Sequence, residues 1–386
     1  MIYLDSAATT CPNYLSYSFG CSWFNANTPY GAESREALAD AENVVKRFLG
    51  VSSGKIVFGG TASVMFKYLF DKIGDAWRDS MSDADEDEGK NNEIKWHSLF
   101  SSPYEHECIA NGEKGIYVCD IDELKDKDIV KDKMWRNCIP ITFCQLVSNI
   151  TGEVFPVADI GAVARELNGF FVCDMTASIG KYGIPKHLED FCDCVIASAH
   201  KFHGEKGQGF IWVSDRFNEW LNGIDYIGTP DVAGATSTAY ALMRSIVHYN
   251  HRHPPIWDNA VRNALFDQGV KHITMGLSGA ENCSRDIVCF RIYGVYADAL
   301  QNFLASKKIY IGVGHSSCEE GKGRYRVLMH AGYSEKEASE CIRLSFDGGV
   351  NPTTQAEIDE FAKAVKEFIV TYDISQEEQE DEDEGN

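Results

Sequence analysis

No run of about 18 apolar residues occurs in the 386-residue chain, so the sequence offers no candidate for a membrane-spanning helix. The opening Met1-Ile2-Tyr3-Leu4-Asp5 lacks the basic region and apolar core of a secretory signal or transit peptide, and a cytoplasmic protein is expected. Positive charge is scarce. Lys and Arg total 36 against 58 Asp and Glu, for a formal net charge of −22, which disfavours attraction to nucleic acid or to an anionic membrane. No CxxC pair is found, only Cys192-Asp193-Cys194, so zinc-ligand spacing is missing and no metal is expected. The 13 cysteines are accordingly read as reduced thiols, most of them buried as small hydrophobes.

What is present is an ordinary globular composition, 44% hydrophobic and 24% charged, on a chain long enough for two or three domains. Asp83 to Asn92 is acidic and polar and reads as a surface insertion between a helix (Ser63 to Trp77) and a strand (Ile94 to Ser101). Eight acidic residues and no basic one lie between Asp373 and Glu384, a solvated tail. Elsewhere strands and helices alternate. Lys55 to Phe58, Ile139 to Val147, Phe170 to Asp174, Cys194 to Ala197 and Gly209 to Val213 read as strands, and Ile160 to Leu167 as a helix stopped by Asn168-Gly169. The pattern predicts an α/β sheet covered by helices. Beyond residue 251 it changes. Strands at Ile287 to Tyr293 and Ile342 to Phe346, with helices at Ala297 to Lys307 and Gln355 to Thr371, predict a smaller α+β unit.

In open α/β sheets, ligands bind at the carboxyl ends of strands. Asp174 ends a strand, Ser198, His200 and Lys201 follow one directly, and Thr61 follows Gly59-Gly60 at a strand-to-helix turn suited to a phosphate. Each is a common loop residue when taken singly. Together, in this order, they fit one cofactor: an acid for a ring nitrogen and a lysine for an aldehyde carbon are the pair that pyridoxal phosphate (PLP) enzymes use.

Two stretches carry a family likeness: Asp174-Met-Thr-Ala-Ser-Ile-Gly-Lys181, and Ser198-Ala-His-Lys-Phe-His-Gly-Glu-Lys-Gly-Gln-Gly209. With them go Tyr3 to Thr10, Phe58 to Ser63, Glu105-His106, Asn149 with Gly152, Gly228-Thr229-Pro230, Ser316 to Gly321, and Cys341 to Ser345 with Thr353-Thr354. In this order, over nearly the whole chain, they resemble the class V aminotransferases, and among them most of all the cysteine desulfurases. The resemblance implies the α/β PLP-transferase fold of type I, a mainly parallel sheet with helices on both faces plus a smaller α+β domain. It implies a large domain over 15–251, a small domain joining 1–14 to 252–372, and a homodimer, while composition alone reads 373–386 as a disordered acidic tail. Its roles carry over residue by residue. Lys201 binds PLP covalently and acts as base and acid, Asp174 pairs with the ring nitrogen, and His106 stacks on the ring. Asn149 bonds the ring hydroxyl oxygen. Thr61, Ser198 and His200 hold the phosphate, with Thr229 reaching in from the second subunit. Arg343 clamps the substrate carboxylate. Cys318, in a small polar loop, takes sulfur from free cysteine as a persulfide and passes it to an acceptor protein, with His315 as a local base.

Three departures mark a divergent member. Ala177 stands where the family usually carries glutamine, Ala62 where many relatives carry glutamate, and the stretch from Lys201 to Thr229 is short. The substrate therefore need not be cysteine. The alternatives are another class V reaction, such as transamination or selenocysteine lysis, and a non-catalytic binding relative that would have no need of Lys201, Asp174, His106 and Arg343.

Overall fold

The computed structural model describes residues 1–10, 26–29, 31–85, 96–110, 115–135, 138–226, 228–250, 257–275, 283–315, 324–347 and 351–374. The chain divides into two compact units, one formed by 9–148 with 154–252 and the other by 1–8, 149–153 and 253–386.

The first unit is built on a seven-stranded sheet. Its spatial order is Lys55–Phe58, Gly209–Val213, Cys194–Ser198, Phe170–Asp174, Cys138–Gln145, Trp96–Ser101 and Tyr117–Val118. Only Gly209–Val213 runs against its neighbours, so the other strands all end at one edge of the sheet. Phe170–Asp174, Cys194–Ser198 and Gly209–Val213 are buried along their whole length, which is why they read as unbroken apolar runs rather than alternating ones. The helix Ala62–Asp85 covers one face, packing Met65, Phe66, Leu69 and Ile73 against Phe143, Val172 and Ile196. The helix Val157–Glu166 covers the other. There Gly161 approaches so closely that a Cβ would meet the Phe191 carbonyl oxygen at 2.4 Å and the Phe171 ring at 3.1 Å.

Three strands and one helix differ from the sequence reading by little. The helix Ala62–Asp85, however, runs on into the acidic segment expected as an insertion, whose remaining residues lie outside the described ones. Two further helices, Ala32–Leu49 and Val232–Asn250, for which the sequence reading set no expectation, also belong to this unit. Cys144, Cys173, Cys192 and Cys194 are fully buried on or beside its strands, and burial raises each thiol well above its ordinary range. They are inert packing residues, as expected.

The second unit carries a five-stranded sheet in the order Ile2–Leu4, Ile309–Val313, Cys341–Ser345, Ile287–Ile292 and Ile273–Met275. Ile2–Leu4 pairs in parallel with Ile309–Val313, and the remaining pairs are antiparallel. The helix Gln355–Thr371 buries Ile358, Phe361, Val365 and Phe368. It starts where the sequence places it because Thr354 and Glu357 close a reciprocal cap on its first turn. No helix among the described residues is long and apolar enough to cross a membrane.

Candidate active site

The edge at which the parallel strands end collects the chemistry of the large unit. Strand Cys194–Ser198 passes into a single turn, Ala199–Lys201, that presents the lysine. This turn is anchored through its main chain. The His200 carbonyl accepts from the Thr10 amide at 2.8 Å and from the Thr10 hydroxyl at 2.9 Å. The Thr10 hydroxyl oxygen accepts in turn from the His203 amide at 2.7 Å. The buried Lys181 ammonium donates to the Lys201 carbonyl at 2.8 Å. Thr10 and Lys181 lie within motifs visible in the sequence, but no pattern there assigns them this task, because each acts on a backbone carbonyl.

Asp174 ends the neighbouring strand and is buried. Burial raises its carboxyl above the usual carboxylate range; the Thr176 amide, donating at 2.8 Å, and the charge of Lys201 pull it partly back. Such a carboxylate gains from a cation brought close to it.

Beside it, Ser198 accepts the amide of Ala62 at 2.6 Å, tying the lysine strand to the first turn of Ala62–Asp85. Thr61 stands at the mouth of that helix, its carbonyl accepting from the Met65 amide at 3.0 Å. The turn before it needs glycine: Gly59 and Gly60 have φ of 128° and 68°. His200 is held neutral, its pKa pushed down to about 4 by burial and then by Lys201, Lys206 and Lys181. Its Nδ1 is buried with no hydrogen-bond partner. A helix mouth, a hydroxyl, a buried donor or acceptor and a set of ammonium groups make a surrounding suited to phosphate.

His106 follows strand Trp96–Ser101, and the buried Glu105 before it fixes the loop. Glu105 Oε1 accepts from Ser102 Oγ and from the Gln145 amide, the latter at 2.9 Å. Sequence reasoning gave Glu105 no role. The His106 Nδ1 lies 3.2 Å from Cys108 Sγ. Ala177 is buried in the segment after Asp174. Thr229 lies on an exposed loop.

Arg343 and Asn149 belong to the second unit. Arg343 is buried, with NH2 paired to Asp5 Oδ1 at 2.7 Å and NH1 donating to the Asn149 carbonyl at 3.0 Å. It faces Gly312, where a Cβ would come within 2.6 Å of NH2 and 2.8 Å of Asp5 Oδ1. Asp5 as its counter-ion was not legible from the sequence. Cys318 lies outside the described residues. His315, three positions before it in the sequence, has Nε2 at 2.8 Å from Arg324 and 3.3 Å from Asp298, so that nitrogen is already engaged.

The donor set fits PLP: a buried carboxyl for the ring nitrogen, a lysine on the adjacent strand end, and a helix mouth with cations for the phosphate. Residues 2–361 match the family described as aminotransferase class-V. A cysteine desulfurase IscS of Rickettsia massiliae (strain Mtu5) is 24% identical over 398 residues, covering 93% of this chain and 88% of that protein. A probable mitochondrial cysteine desulfurase of Dictyostelium discoideum is 24% identical over 401 residues, 95% of this chain and 83% of that one. Among solved structures, a NifS-like protein superposes with a TM-score of 0.74 at 20% identity, over 96% of this chain and 99% of that one. Another, titled SspA in complex with cysteine, gives 0.65 at 22% identity, over 89% and 98%. These likenesses establish the PLP-transferase type of fold, with the mostly parallel large sheet expected from the sequence.

Proposed function

The chain belongs to the class-V aminotransferase family, and on that premise we propose that it is a PLP-dependent cysteine desulfurase, converting free cysteine to alanine and leaving a persulfide on Cys318 for an acceptor protein. The observation that carries the PLP reading is the buried Asp174 carboxyl beside the Lys201 turn on adjacent parallel strand ends. The choice of cysteine rests on the relatives and on Cys318. Bound here, PLP supplies an electron sink for bonds around the substrate's α and β carbons.

The chain's own groups do the rest. Lys201 holds the cofactor and then, freed, moves the proton at the substrate Cα. Asp174 keeps the proton on the ring nitrogen. Thr61, Ser198 and His200 receive the phosphate, and Thr229 of a second copy joins them in a homodimer. His106 would stack on the ring, Asn149 would bond the ring hydroxyl oxygen, and Arg343, with its fork of donors, would bind the substrate carboxylate. The Cys318 thiolate attacks the substrate sulfur: an S–S bond forms, the C–S bond breaks, and the carbon left behind takes up a proton to become alanine. The setting is a reducing, cytoplasmic one. The test is incubation of the purified protein with L-cysteine, following alanine and, with a reducing thiol present, sulfide. Equal amounts of both are expected; a keto acid in place of alanine would point to a transaminase.

Asp174→Asn keeps the shape and removes the charge. It should bind PLP more weakly and turn over roughly a hundredfold more slowly, the scale of a buried charged hydrogen bond lost from an active site. Absorbance titration with PLP and alanine release measure the two effects. Wild-type values in both would remove Asp174 from the ring nitrogen.

Gly312→Ala probes Arg343. The new methyl would overlap both the guanidinium and the Asp5 carboxylate paired with it, so the ion pair must shift. An increase of about tenfold in KM for cysteine is expected from a crowding cost of about 1–2 kcal/mol, with PLP binding unchanged. An unaltered KM would mean that Arg343 does not set substrate affinity.

A further inference from the structure

The short helix Glu107–Ala110 that directly follows His106 carries a thiol for which the family roles make no provision. Cys108 Sγ lies 3.2 Å from His106 Nδ1, and the Cys108 main-chain nitrogen lies 3.3 Å from the same atom. A backbone amide can only donate, so Nδ1 must be the accepting nitrogen, and the neutral ring carries its proton on Nε2. Nδ1 then has no proton to give the sulfur, and the thiol must donate to it. The thiol is able to do so because it stays protonated: burial raises its pKa most, the charges of Asp174 and Glu105 add to this, and the Ser63 side chain opposes them.

Other uses of this thiol fit less well. A nucleophilic cysteine needs a setting that favours the thiolate, and two carboxylates do the reverse. A metal would need a third ligand, and no group of three His, Cys, Asp or Glu side chains among the described residues can hold one.

We infer that Cys108 is a positioning residue, whose thiol and amide together hold His106 in its Nε2–H tautomer and fix which ring nitrogen serves the reaction. The inference rests on the proposed function in one respect, that His106 faces the cofactor; its geometry does not. The amide and the thiol donate to the same nitrogen, and only the two together hold the tautomer and the plane of the ring. A side chain without a donor at position 108 would remove the shorter of these two contacts to Nδ1 and keep the 3.3 Å amide bond.

The test uses the protein as purified with its cofactor, labelled with 15N-histidine. The His106 nitrogens are assigned by their loss in His106→Gln. In the wild type, Nε2 should be protonated and Nδ1 not. Cys108→Val removes the donor and should move both nitrogen shifts toward the average of the two tautomers. Cys108→Ser restores a donor and should bring them back. In Cys108→Val, kcat should fall roughly fivefold, the effect of one lost hydrogen bond, with KM for cysteine unchanged and recovery in Cys108→Ser. Should Cys108→Val fail to fold, Cys108→Ala gives the same readout. Nitrogen shifts in Cys108→Val or Cys108→Ala that superimpose on the wild type would overturn the inference. If the shifts move as described and yet even the wild type releases no alanine from cysteine, the positioning role stands and the desulfurase reading is what fails.

Discussion

Lys201→Ala is expected to yield a colourless protein with no measurable turnover. In the proposed mechanism the side chain carries both the covalent attachment of PLP and the proton transfer at the substrate Cα, so the loss should reach roughly 10⁴-fold or more. The fold should survive. The Lys201 turn is held through its main chain, by Thr10 on the His200 carbonyl and by Lys181 on the Lys201 carbonyl, and truncating the side chain leaves those bonds in place. Visible absorbance of the purified protein measures the effect. Borohydride reduction of the wild type followed by peptide mapping should place the label on Lys201. A label on Lys181 or Lys206, the other ammonium groups acting on His200, would move the assignment.

Cys318→Ser should be nearly as severe for sulfur chemistry and harmless to binding. Serine keeps the size of the side chain, but its hydroxyl stays protonated near neutrality, whereas a free thiol with a pKa of about 8.5 is already a few per cent thiolate. Removing a nucleophile from an enzyme costs many powers of ten, and alanine release should fall by roughly a thousandfold or more. Cysteine should still bind and still change the absorbance of the cofactor, since Lys201, Asp174 and Arg343 are untouched. Turnover at the wild-type rate would reject sulfur transfer to Cys318, and selenocysteine lysis or transamination would then be the better reading.

The parts of this molecule that the sequence displayed are those governed by local chemistry. Strands Phe170–Asp174 and Gly209–Val213 begin and end where expected because both are short apolar runs with sharp borders. Before the first stands Asn168, with φ of 56°, and Gly169, which has no room for a side chain beside Pro140. The helix Ala62–Asp85 outran its expected end because acidic residues read as a loop, though neither glycine nor proline follows closely enough to stop it before Asp85. Val232–Asn250 was silent for the opposite reason: its run of Ala, Gly, Ser and Thr packs through small side chains and shows little apolar periodicity.

The site divides in the same way. Lys201, Asp174, Ser198 and Thr61 could be read because each sits at a strand end, where the topology converges. Their supports could not. Thr10 and Lys181 act on carbonyls, Glu105 on an amide of the next strand, and Asp5 on an arginine 338 residues away. Such partners exist only once the chain has folded.

The central claim is that sulfur leaves cysteine for one thiol of this chain. A short pulse of L-cysteine, quenched by alkylation and followed by mass spectrometry of all cysteine peptides, tests it most directly. One added sulfur atom on the Cys318 peptide, in step with the alanine released, is the predicted result, and the other 12 of the 13 cysteines serve as the internal control. Alanine released with Cys318 unmodified, or sulfur spread over several cysteine peptides, would contradict it.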